Sequence, residues 1–350
     1  MLELRAPAGA FERIEAYLRE HGFFEPGGEH LEADLYLGYG LSEPLRRTAV
    51  PPPPEPCPLP LAAVRVRSEK RLVFQKHKVP AIGLWERSWA DSDYAEAVEA
   101  VRAAIGRGDV YQVNLVQHLS AGFEGDAASL AERLAGFRPR VLEGNGWAVV
   151  SASPELFLAR QGRRVWTAPI KGTRPLGEHV EGEKDAAEHV MIVDLERNDL
   201  SRVCEPGSVR WPELMAEREL AGVTHLVSEV EGTLREGVSL AELLAATFPG
   251  GSVTGAPKIA ALDVIAQLEP VGRGASMGAL GVVRGNGDLE LALTIRTFAI
   301  VEDRIHLWAG GGIVWDSEPA AEIEESWTKA RPLLAAIGGL VFPKHEAGVR

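Results

Sequence analysis

Cysteine is almost absent from this sequence: Cys57 and Cys204 are the only two among 350 residues. Two cysteines so far apart indicate neither a disulfide framework nor a cysteine-based metal site. The sequence also lacks any apolar run approaching the ~20 residues that a membrane helix needs. Its first residues, Met1-Leu-Glu-Leu-Arg5, lack the basic-then-apolar pattern of a signal peptide. These absences predict a cytoplasmic protein that makes no membrane contact.

Positive charge is also scarce, with 37 lysines and arginines against 50 acidic residues and a formal net charge of −13. Such a surface repels the phosphates of nucleic acids, and no basic stripe with interleaved aromatics is present, which excludes nucleic acid as a partner. An acidic protein can still bind a small dianion where a pocket concentrates cations or a metal. The sequence therefore favours a small-molecule ligand.

A regular alternation of strands and helices is missing too. Apolar spacing predicts helices over 10–21, 91–106 and Glu183–Arg202, and strands over 61–67, 71–75 and 110–120. Short hairpins mix with these amphipathic helices along the rest of the chain. The pattern predicts an α+β fold with large, mainly antiparallel β-sheets.

One lysine and one glutamate form the most informative pair. Glu155 precedes a strand-like run, 156–160, and a second run, 163–167, leads to Lys171. The polar-glycine pair between the runs predicts a tight hairpin that places residue 155 opposite residue 168. At about 3.3 Å per residue, the two functional groups then start within roughly 10 Å of each other. This separation suits a proton donor and a nucleophile that act on opposite sides of one small ring.

Carboxylates share one face of a second predicted helix, which starts at Asp316–Pro319 and which Pro332 should kink or end near Thr328. Glu322, Glu325 and Lys329 have the spacing i, i+3 and i+7 and fall on one face. On the helix after residue 183, Asp185 and Glu188 also share a face. Four carboxylates on two helices suit Mg²⁺, which prefers oxygen ligands. The alternative is that these are ordinary solvated helix surfaces.

A second predicted hairpin suggests a binding site for the carboxylate group of a ligand. Strand-like runs at 289–301 and 304–309 pair in a register that places Arg296 opposite Ala309, beside Gly310-Gly311-Gly312. Arginine offers a planar fork to a carboxylate, and glycine lets backbone N–H groups approach closely. The segment therefore predicts a site for an acidic ligand.

Three segments carry a family resemblance: Ser151–Glu155, Pro169–Pro175 and Phe248–Lys258. They resemble the chorismate-utilising enzymes, most of all the branch of component I of aminodeoxychorismate synthase. The resemblance covers residues 85–338, while residues 1–84 match poorly and 339–350 form a C-terminal tail. It implies a sandwich-like core with helices packed outside, and a catalytic domain on which the N-terminal segment packs. Phe248–Lys258 is then a scaffold of the pocket and not a phosphate loop.

The resemblance also implies roles for individual residues. Lys171 would be the nucleophile, Glu155 the general acid, and His225 a positioning or proton-transferring residue. Mg²⁺ would be bound by Glu188 and Glu325, with Glu322 and Asp185 in supporting positions. The implied substrate contacts are Gln112, Gly172, Thr173, Ser276, Arg296, Gly310, Gly311, Gly312 and Lys329. Ser276 stands where relatives commonly have an aromatic residue.

Two positions distinguish the reactions of this family. Enzymes that add water carry a lysine base where this chain has Gln112, and anthranilate synthases usually have alanine where it has Lys171. The resemblance therefore implies amination of chorismate at C4 through a Lys171 adduct, toward 4-aminobenzoate and folate. A separate glutaminase subunit would supply the ammonia, since no cysteine-based amidotransferase arrangement is evident. Anthranilate synthase component I and a non-catalytic protein of the same fold remain the alternatives.

Overall fold

The computed structural model describes residues 1–67, 79–175, 183–220 and 223–338. The side chains of 172–175, 183–187, 219–220, 223 and 225 lie outside this description, as do the predicted strand 71–75 and the tail 339–350. Within the described residues, every helix is too short or too polar to cross a lipid bilayer.

In chain order, the strands are β1 (Leu2–Leu4), β2 (Glu32–Leu37), β3 (Ala62–Val66), β4 (Ala81–Ile82), β5 (Glu86–Arg87), β6 (Gln112–Glu124), β7 (Arg140–Glu143), β8 (Trp147–Ser151), β9 (Leu156–Gln161), β10 (Arg164–Ala168), β11 (Ile170–Pro175), β12 (Arg210–Leu220), β13 (Val223–Thr233), β14 (Gly255–Ala256), β15 (Ala279–Arg284), β16 (Leu289–Leu293), β17 (Thr297–Val301) and β18 (Arg304–Ile313). The helices are α1 (Ala10–Glu20), α2 (Asp91–Gly106), α3 (Ala127–Arg133), α4 (Glu183–Ser201), α5 (Leu240–Thr247), α6 (Lys258–Leu268) and α7 (Pro319–Ala336).

The described strands form two sheets, and all of their pairings are antiparallel. The first sheet has ten strands in the order β1-β3-β2-β15-β16-β9-β10-β13-β11, with β12 also paired to β13. The second has eight, ordered β14-β6-β18-β17-β8-β7, with β4 and β5 also paired to β6. The predicted α+β fold with large antiparallel sheets is confirmed. Residues 1–84 contribute β1 to β3, which join the first sheet where β2 pairs with β15, and β4, which pairs with β6 of the second sheet.

The main core lies between the two sheets. Leu35 and Leu291 of the first sheet share one buried cluster with Val116 and Val149 of the second. Alternate residues of each strand point to the same face, so both sheets supply an inner row of aliphatic side chains. Burial of each such side chain contributes roughly 1.5–3 kcal/mol. This packing fixes the relative position of the two sheets.

The hairpin before Lys171 has a different register from the predicted one. The turn is Gly162-Arg163, where Gly162 has a φ of +58°, so Gln161 pairs with Arg164. A bulge after Trp166 then sets Ala168 opposite Leu156. The prediction that residue 155 lies opposite residue 168 is therefore wrong by one position. The left-handed conformation that glycine adopts readily sets the turn one residue later than the composition suggested.

Helix α7 passes through Pro332, so of the two predicted effects of this proline, a kink or an end of the helix, the end is wrong. Pro332 has no N–H to donate to the carbonyl four residues earlier. The helix nevertheless runs to Ala336, and Leu333 and Leu334 are buried in a second core cluster. Burial of these two leucines outweighs the missing hydrogen bond. The other predicted helices agree with α1, α2 and α4.

Candidate active site

Glu155 lies in the connection between β8 and β9 and is buried. Its backbone carbonyl accepts a hydrogen bond from Leu293 N–H at 3.0 Å. The side-chain Oε1 accepts a bond from Ser252 Oγ at 2.7 Å. Burial raises the pKa of this carboxyl, and the Ser252 bond and the charge of Lys171 oppose that rise only in part. A carboxyl in this environment keeps its proton to higher pH, as a general acid requires.

Lys171 occupies β11 opposite Leu226 of β13 and is half-buried. Its charge lowers the pKa of both Glu155 and His189, so the ammonium group lies within electrostatic range of both side chains. The structure thus brings the two residues of the predicted acid–nucleophile pair together. The side chains of their predicted neighbours Gly172, Thr173 and His225 lie outside the described residues.

His189 is a residue of this site that sequence reasoning missed. It is fully buried on α4, and its Nε2 lies 2.6 Å from Ser228 Oγ. Burial, and next the charge of Lys171, lowers the pKa of His189 to about 4. Its Nδ1 has no hydrogen-bond partner among the described residues. The imidazole is therefore neutral at physiological pH and has one ring nitrogen left for a ligand.

Arg296 lies where the chain crosses from the first sheet to the second, between β16 and β17. Its φ of +50° marks this bend. Burial lowers the pKa of its guanidinium, and the charge of Glu155 opposes this effect, which places Arg296 near the acid. The β17–β18 pairing has the predicted register, with Phe298 opposite Leu307, but it stops there, so the predicted pairing of Arg296 with Ala309 is wrong. The crossing between the sheets ends the ladder before it reaches residue 296.

Glycines 310–312 form the end of β18 beside β6. A Cβ atom at Gly312 would overlap Nε2 of Gln112. A Cβ at Gly311 would lie 2.9 Å from Glu325 Oε1 and 3.5 Å from Glu322 Oε2. Gln112 is fully buried, and neither of its amide atoms has a hydrogen-bond partner among the described residues. Leaving such polar atoms unpaired costs about 1–3 kcal/mol per group, which marks this place as suited to a polar ligand.

The carboxylates of α7 lie against this glycine segment. Ser317 Oγ donates to Glu322 Oε1 at 2.5 Å, while Lys329 Nζ donates to Glu325 Oε1 at 2.7 Å and to Gly310 O at 2.9 Å. Two carboxylates and one ammonium group therefore converge on Gly310 and Gly311. Oxygen donors of this kind suit Mg²⁺.

The other two predicted metal ligands are on α4. Glu188 is half-buried there, and the side chain of Asp185 lies outside the described residues. In the part of the chain that the structure describes, no three Asp, Glu, His or Cys side chains come together as a metal-binding group. The structure thus brings Glu322 and Glu325 together at Gly311.

Ser276 is fully buried, and its hydroxyl has no hydrogen-bond partner among the described residues. Its backbone N–H donates to Arg273 O at 2.7 Å, in the turn that precedes β15. This position therefore has a small side chain whose hydroxyl is unpaired among the described residues.

Sequence reasoning also missed Ser252, the direct partner of Glu155. Ser252 lies within Phe248–Lys258, a segment to which the family resemblance assigns only a scaffold role. The two residues are 97 positions apart, and no local pattern links them. The only available signal was the density of hydroxyl and glycine residues in that segment.

Comparison with known proteins places these residues in a family context. A family model described as chorismate binding enzyme matches residues 58–335. Anthranilate synthase component 1 of Thermus thermophilus is 41% identical over 290 residues, 77% of this chain and 63% of that protein. Aminodeoxychorismate synthase component 1 of Klebsiella aerogenes is 40% identical over 266 residues, 71% of this chain and 59% of that protein. The chain thus spans less than two thirds of the length of these relatives.

A solved structure agrees with these matches. The crystal structure of anthranilate synthase component I from Streptococcus pneumoniae has a TM-score of 0.76 and 27% identity, over 86% of this chain and 80% of that chain. Relatives with the two names are about equally similar to this chain, so identity alone does not choose between them. The choice depends on the chemistry of individual side chains.

Proposed function

The chain belongs to the family of chorismate binding enzymes, and we propose that it aminates chorismate at C4 with ammonia to give 4-amino-4-deoxychorismate. The observation that carries the proposal is the proximity of Lys171 to Glu155, a buried carboxyl whose pKa is raised. This pair provides an amine nucleophile and a proton donor for one ring. The product would be the first intermediate on the way to 4-aminobenzoate and folate.

In the first half of the reaction, the neutral amine of Lys171 attacks C2 of the ring. The two ring double bonds shift toward C4, and the C4–O bond breaks. Glu155 gives its proton to the departing hydroxyl, which leaves as water. The new ammonium gives one proton to water, which returns it in the second half, and the ring stays attached to the enzyme through a C2–N bond.

In the second half, ammonia attacks C4 and the double bonds return to their original places. The C2–N bond breaks, and the nitrogen of Lys171 takes up one proton as it leaves. The ammonium formed at C4 returns a proton to Glu155. The net reaction converts chorismate and ammonia into 4-amino-4-deoxychorismate and water.

Gln112 supports ammonia as the second reactant. Its side-chain amide cannot take up a proton at working pH, so it cannot act as the base that would activate water. Ammonia carries its own lone pair and needs no such base. Because Gln112 is buried with both amide atoms unpaired among the described residues, it can still bind a polar group of the substrate.

Mg²⁺ is the proposed cofactor. Glu188 and Glu325 would bind it, with Glu322 and Asp185 in support, and the proximity of Glu322 and Glu325 at Gly311 favours this assignment. The bound ion would draw electron density from the ring through its carboxylate. Arg296 and Lys329 would add positive charge for the substrate carboxylates.

A separate glutaminase subunit is the proposed ammonia source. Both relatives described above are named component 1, which implies a further component. We expect the purified chain to use ammonium but not glutamine, and to use glutamine once a glutaminase subunit is added. Turnover of the chain alone with glutamine, in the absence of ammonium, would contradict this assignment.

Anthranilate synthase component I is the second candidate, favoured by the 41% identity to a protein of that name. The two reactions differ in product, because anthranilate formation releases pyruvate and 4-amino-4-deoxychorismate formation does not. Chromatography after incubation with chorismate, Mg²⁺ and ammonium separates the candidates. We expect 4-amino-4-deoxychorismate, whereas anthranilate with an equal amount of pyruvate would reject the proposal.

A further inference from the structure

Two contacts hold the segment between α5 and α6 against the C-terminal part of α4. Lys258 Nζ donates to Asp199 Oδ2 at 2.5 Å and also to Pro249 O at 2.6 Å. Gly251 N–H donates to Glu196 Oε1 at 3.0 Å. Glu196 and Asp199 are one helical turn apart on α4, and both are buried. One face of α4 therefore fixes both the beginning and the end of this segment.

The hydrogen bond from Gly251 to Glu196 depends on close packing. Gly251 begins a single 3₁₀ turn, Gly251–Val253. A Cβ at this position would lie 2.6 Å from Leu195 Cδ2 and 3.1 Å from Glu196 Oε1. The absence of a side chain lets the Gly251 backbone reach the carboxylate directly. The bond from Gly251 N–H to Glu196 thus holds the start of the turn, while Arg273 Nη1 donates to Val253 O at 2.9 Å at its end.

The next residue of this turn reaches the proposed acid. Ser252 Oγ donates to Glu155 Oε1 at 2.7 Å, and both side chains are buried. The backbone N–H of Ile170 also donates to this carboxyl, so Ser252 and Ile170 together orient it. Glu196, Gly251, Ser252 and Glu155 therefore form a continuous chain of contacts from α4 to the site.

We propose that Glu196 is a positioning residue for chorismate amination, because its bond to Gly251 N–H fixes the turn that presents Ser252 to Glu155. This inference rests on the proposed function only in taking Glu155 as the proton donor. Glu196 itself touches neither substrate nor Lys171 in this account.

The charges around the chain of contacts support this role. Burial, and next the charge of Asp199, raises the pKa of Glu196, while Lys258 opposes the rise. Burial raises the pKa of Glu155, and the Ser252 bond and the charges of Lys171 and Arg296 oppose that rise in part. A protonated Glu196 still has an oxygen that accepts from Gly251 N–H. The hydrogen bond between Gly251 and Glu196 therefore persists without placing a second negative charge near Glu155.

Loss of the hydrogen bond from Ser252 to Glu155 should shift the pH dependence of the reaction rate. The Ser252 bond favours the ionised form of Glu155, so losing the bond raises the pKa of Glu155. Because a general acid works only when protonated, the alkaline limb of the rate profile then moves to higher pH, by about one unit for one hydrogen bond to a charged group. A residue with a merely structural role would change stability or rate without moving this limb.

The test is the pH profile of chorismate consumption in a double-mutant cycle. Ser252→Ala and Glu196→Ala should each move the alkaline limb up by about one unit, and the double variant should move it no further. Glu196→Gln, which retains an acceptor oxygen for Gly251, should restore the wild-type limb. Asp194→Ala, an exposed position on the same helix, serves as the matched control and should leave the limb in place.

The outcomes separate this inference from the proposed function. If Glu196→Ala keeps the wild-type limb while Ser252→Ala shifts it, or if the two shifts add in the double variant, the inference is wrong. Should Glu196→Ala not fold, Glu196→Met, which is of similar size and offers no acceptor oxygen, takes its place. A wild-type chain that consumes no chorismate, or that makes another product, would instead overturn the proposed function.

Discussion

The amide of Gln112 lies directly against the backbone of Gly312, where a Cβ atom would overlap Nε2. Gln112 is fully buried, and its amide atoms have no hydrogen-bond partner among the described residues. A buried, unpaired amide costs stability unless a ligand completes its hydrogen bonds. This relationship connects the polar group of β6 with the glycine segment of β18, where Lys329 and Glu325 also converge.

Substitution of Gly312 tests this relationship. We expect Gly312→Ala to displace Gln112 and to lower kcat/KM for chorismate at least 10-fold, with a loss of about 1–3 kcal/mol in the free energy of unfolding. Gly122→Ala, in the same pair of strands, has open space for a Cβ and should behave as wild type. Steady-state kinetics and urea unfolding of both variants provide the measurement. Equal kinetics in the two variants would show that Gln112 is not part of the site.

Removal of the unpaired hydroxyl of Ser276 has opposite expected effects on stability and binding. Because the buried Oγ has no partner among the described residues, Ser276→Ala should leave the melting temperature unchanged or raise it. If that hydroxyl binds chorismate, the same variant should raise KM several-fold with little change in kcat. Calorimetry and steady-state kinetics measure the two effects. An unchanged KM would remove Ser276 from the predicted substrate contacts.

Mg²⁺ dependence tests the carboxylates of α7. We expect a chelator to abolish turnover and Glu325→Gln to raise at least 10-fold the Mg²⁺ concentration needed for half-maximal binding, since one anionic ligand is lost. Glu324→Gln is the matched control, because Glu324 is the neighbouring residue and forms its ion pair with Arg331. Titration calorimetry of Mg²⁺ in the presence of chorismate gives the readout independently of turnover. Equal Mg²⁺ affinities for the two variants would exclude Glu325 as a ligand.

Buried histidines predict loss of stability in mild acid. His306 Nδ1 lies 3.0 Å from His118 Nε2, and burial, with the charge of Arg304, lowers the pKa of His306 from 6.5 to about 4. Between these two values the unfolded chain binds the proton and the folded chain does not. The stabilising contribution is therefore complete above pH 6.5 and is lost as the pH falls toward 4.

A histidine variant isolates this contribution. We expect His306→Gln to reduce the difference in free energy of unfolding between pH 7 and pH 5 by about 1 kcal/mol. His30→Gln, at an exposed position, is the control and should leave that difference unchanged. Urea unfolding at both pH values measures it. The same pH dependence in wild type and His306→Gln would contradict the assignment.

Local patterns predicted the fold better than they predicted the contacts of the site. The helical periodicity of 183–201 and 319–336 placed Glu188, Glu322 and Glu325 on helices, and the antiparallel sheets followed from the hairpins. Glu155 and Lys171 lie close together because they flank the hairpin in which β9 pairs with β10. These predictions depend on spacing within a few residues, which the sequence states directly.

The wrong predictions concern features that depend on packing between segments far apart in the sequence. The turn at Gly162 moved by one residue, and Arg296 left its expected strand because the chain crosses between sheets there. Leu333 and Leu334 carry α7 beyond Pro332. Ser252 reaches Glu155 across 97 positions. Contacts between segments so far apart depend on how the two sheets pack, and no local periodicity records them.

The covalent adduct on Lys171 can be tested by mass spectrometry of the intact protein. The reaction is quenched after mixing with chorismate and Mg²⁺ in the absence of ammonium. We expect an added mass equal to chorismate minus one water, and peptide mapping should locate it on Lys171. Ammonium should then remove this added mass and release 4-amino-4-deoxychorismate. Lys171→Ala should show neither the adduct nor the product. Absence of the adduct, together with full activity in Lys171→Ala, would contradict the account.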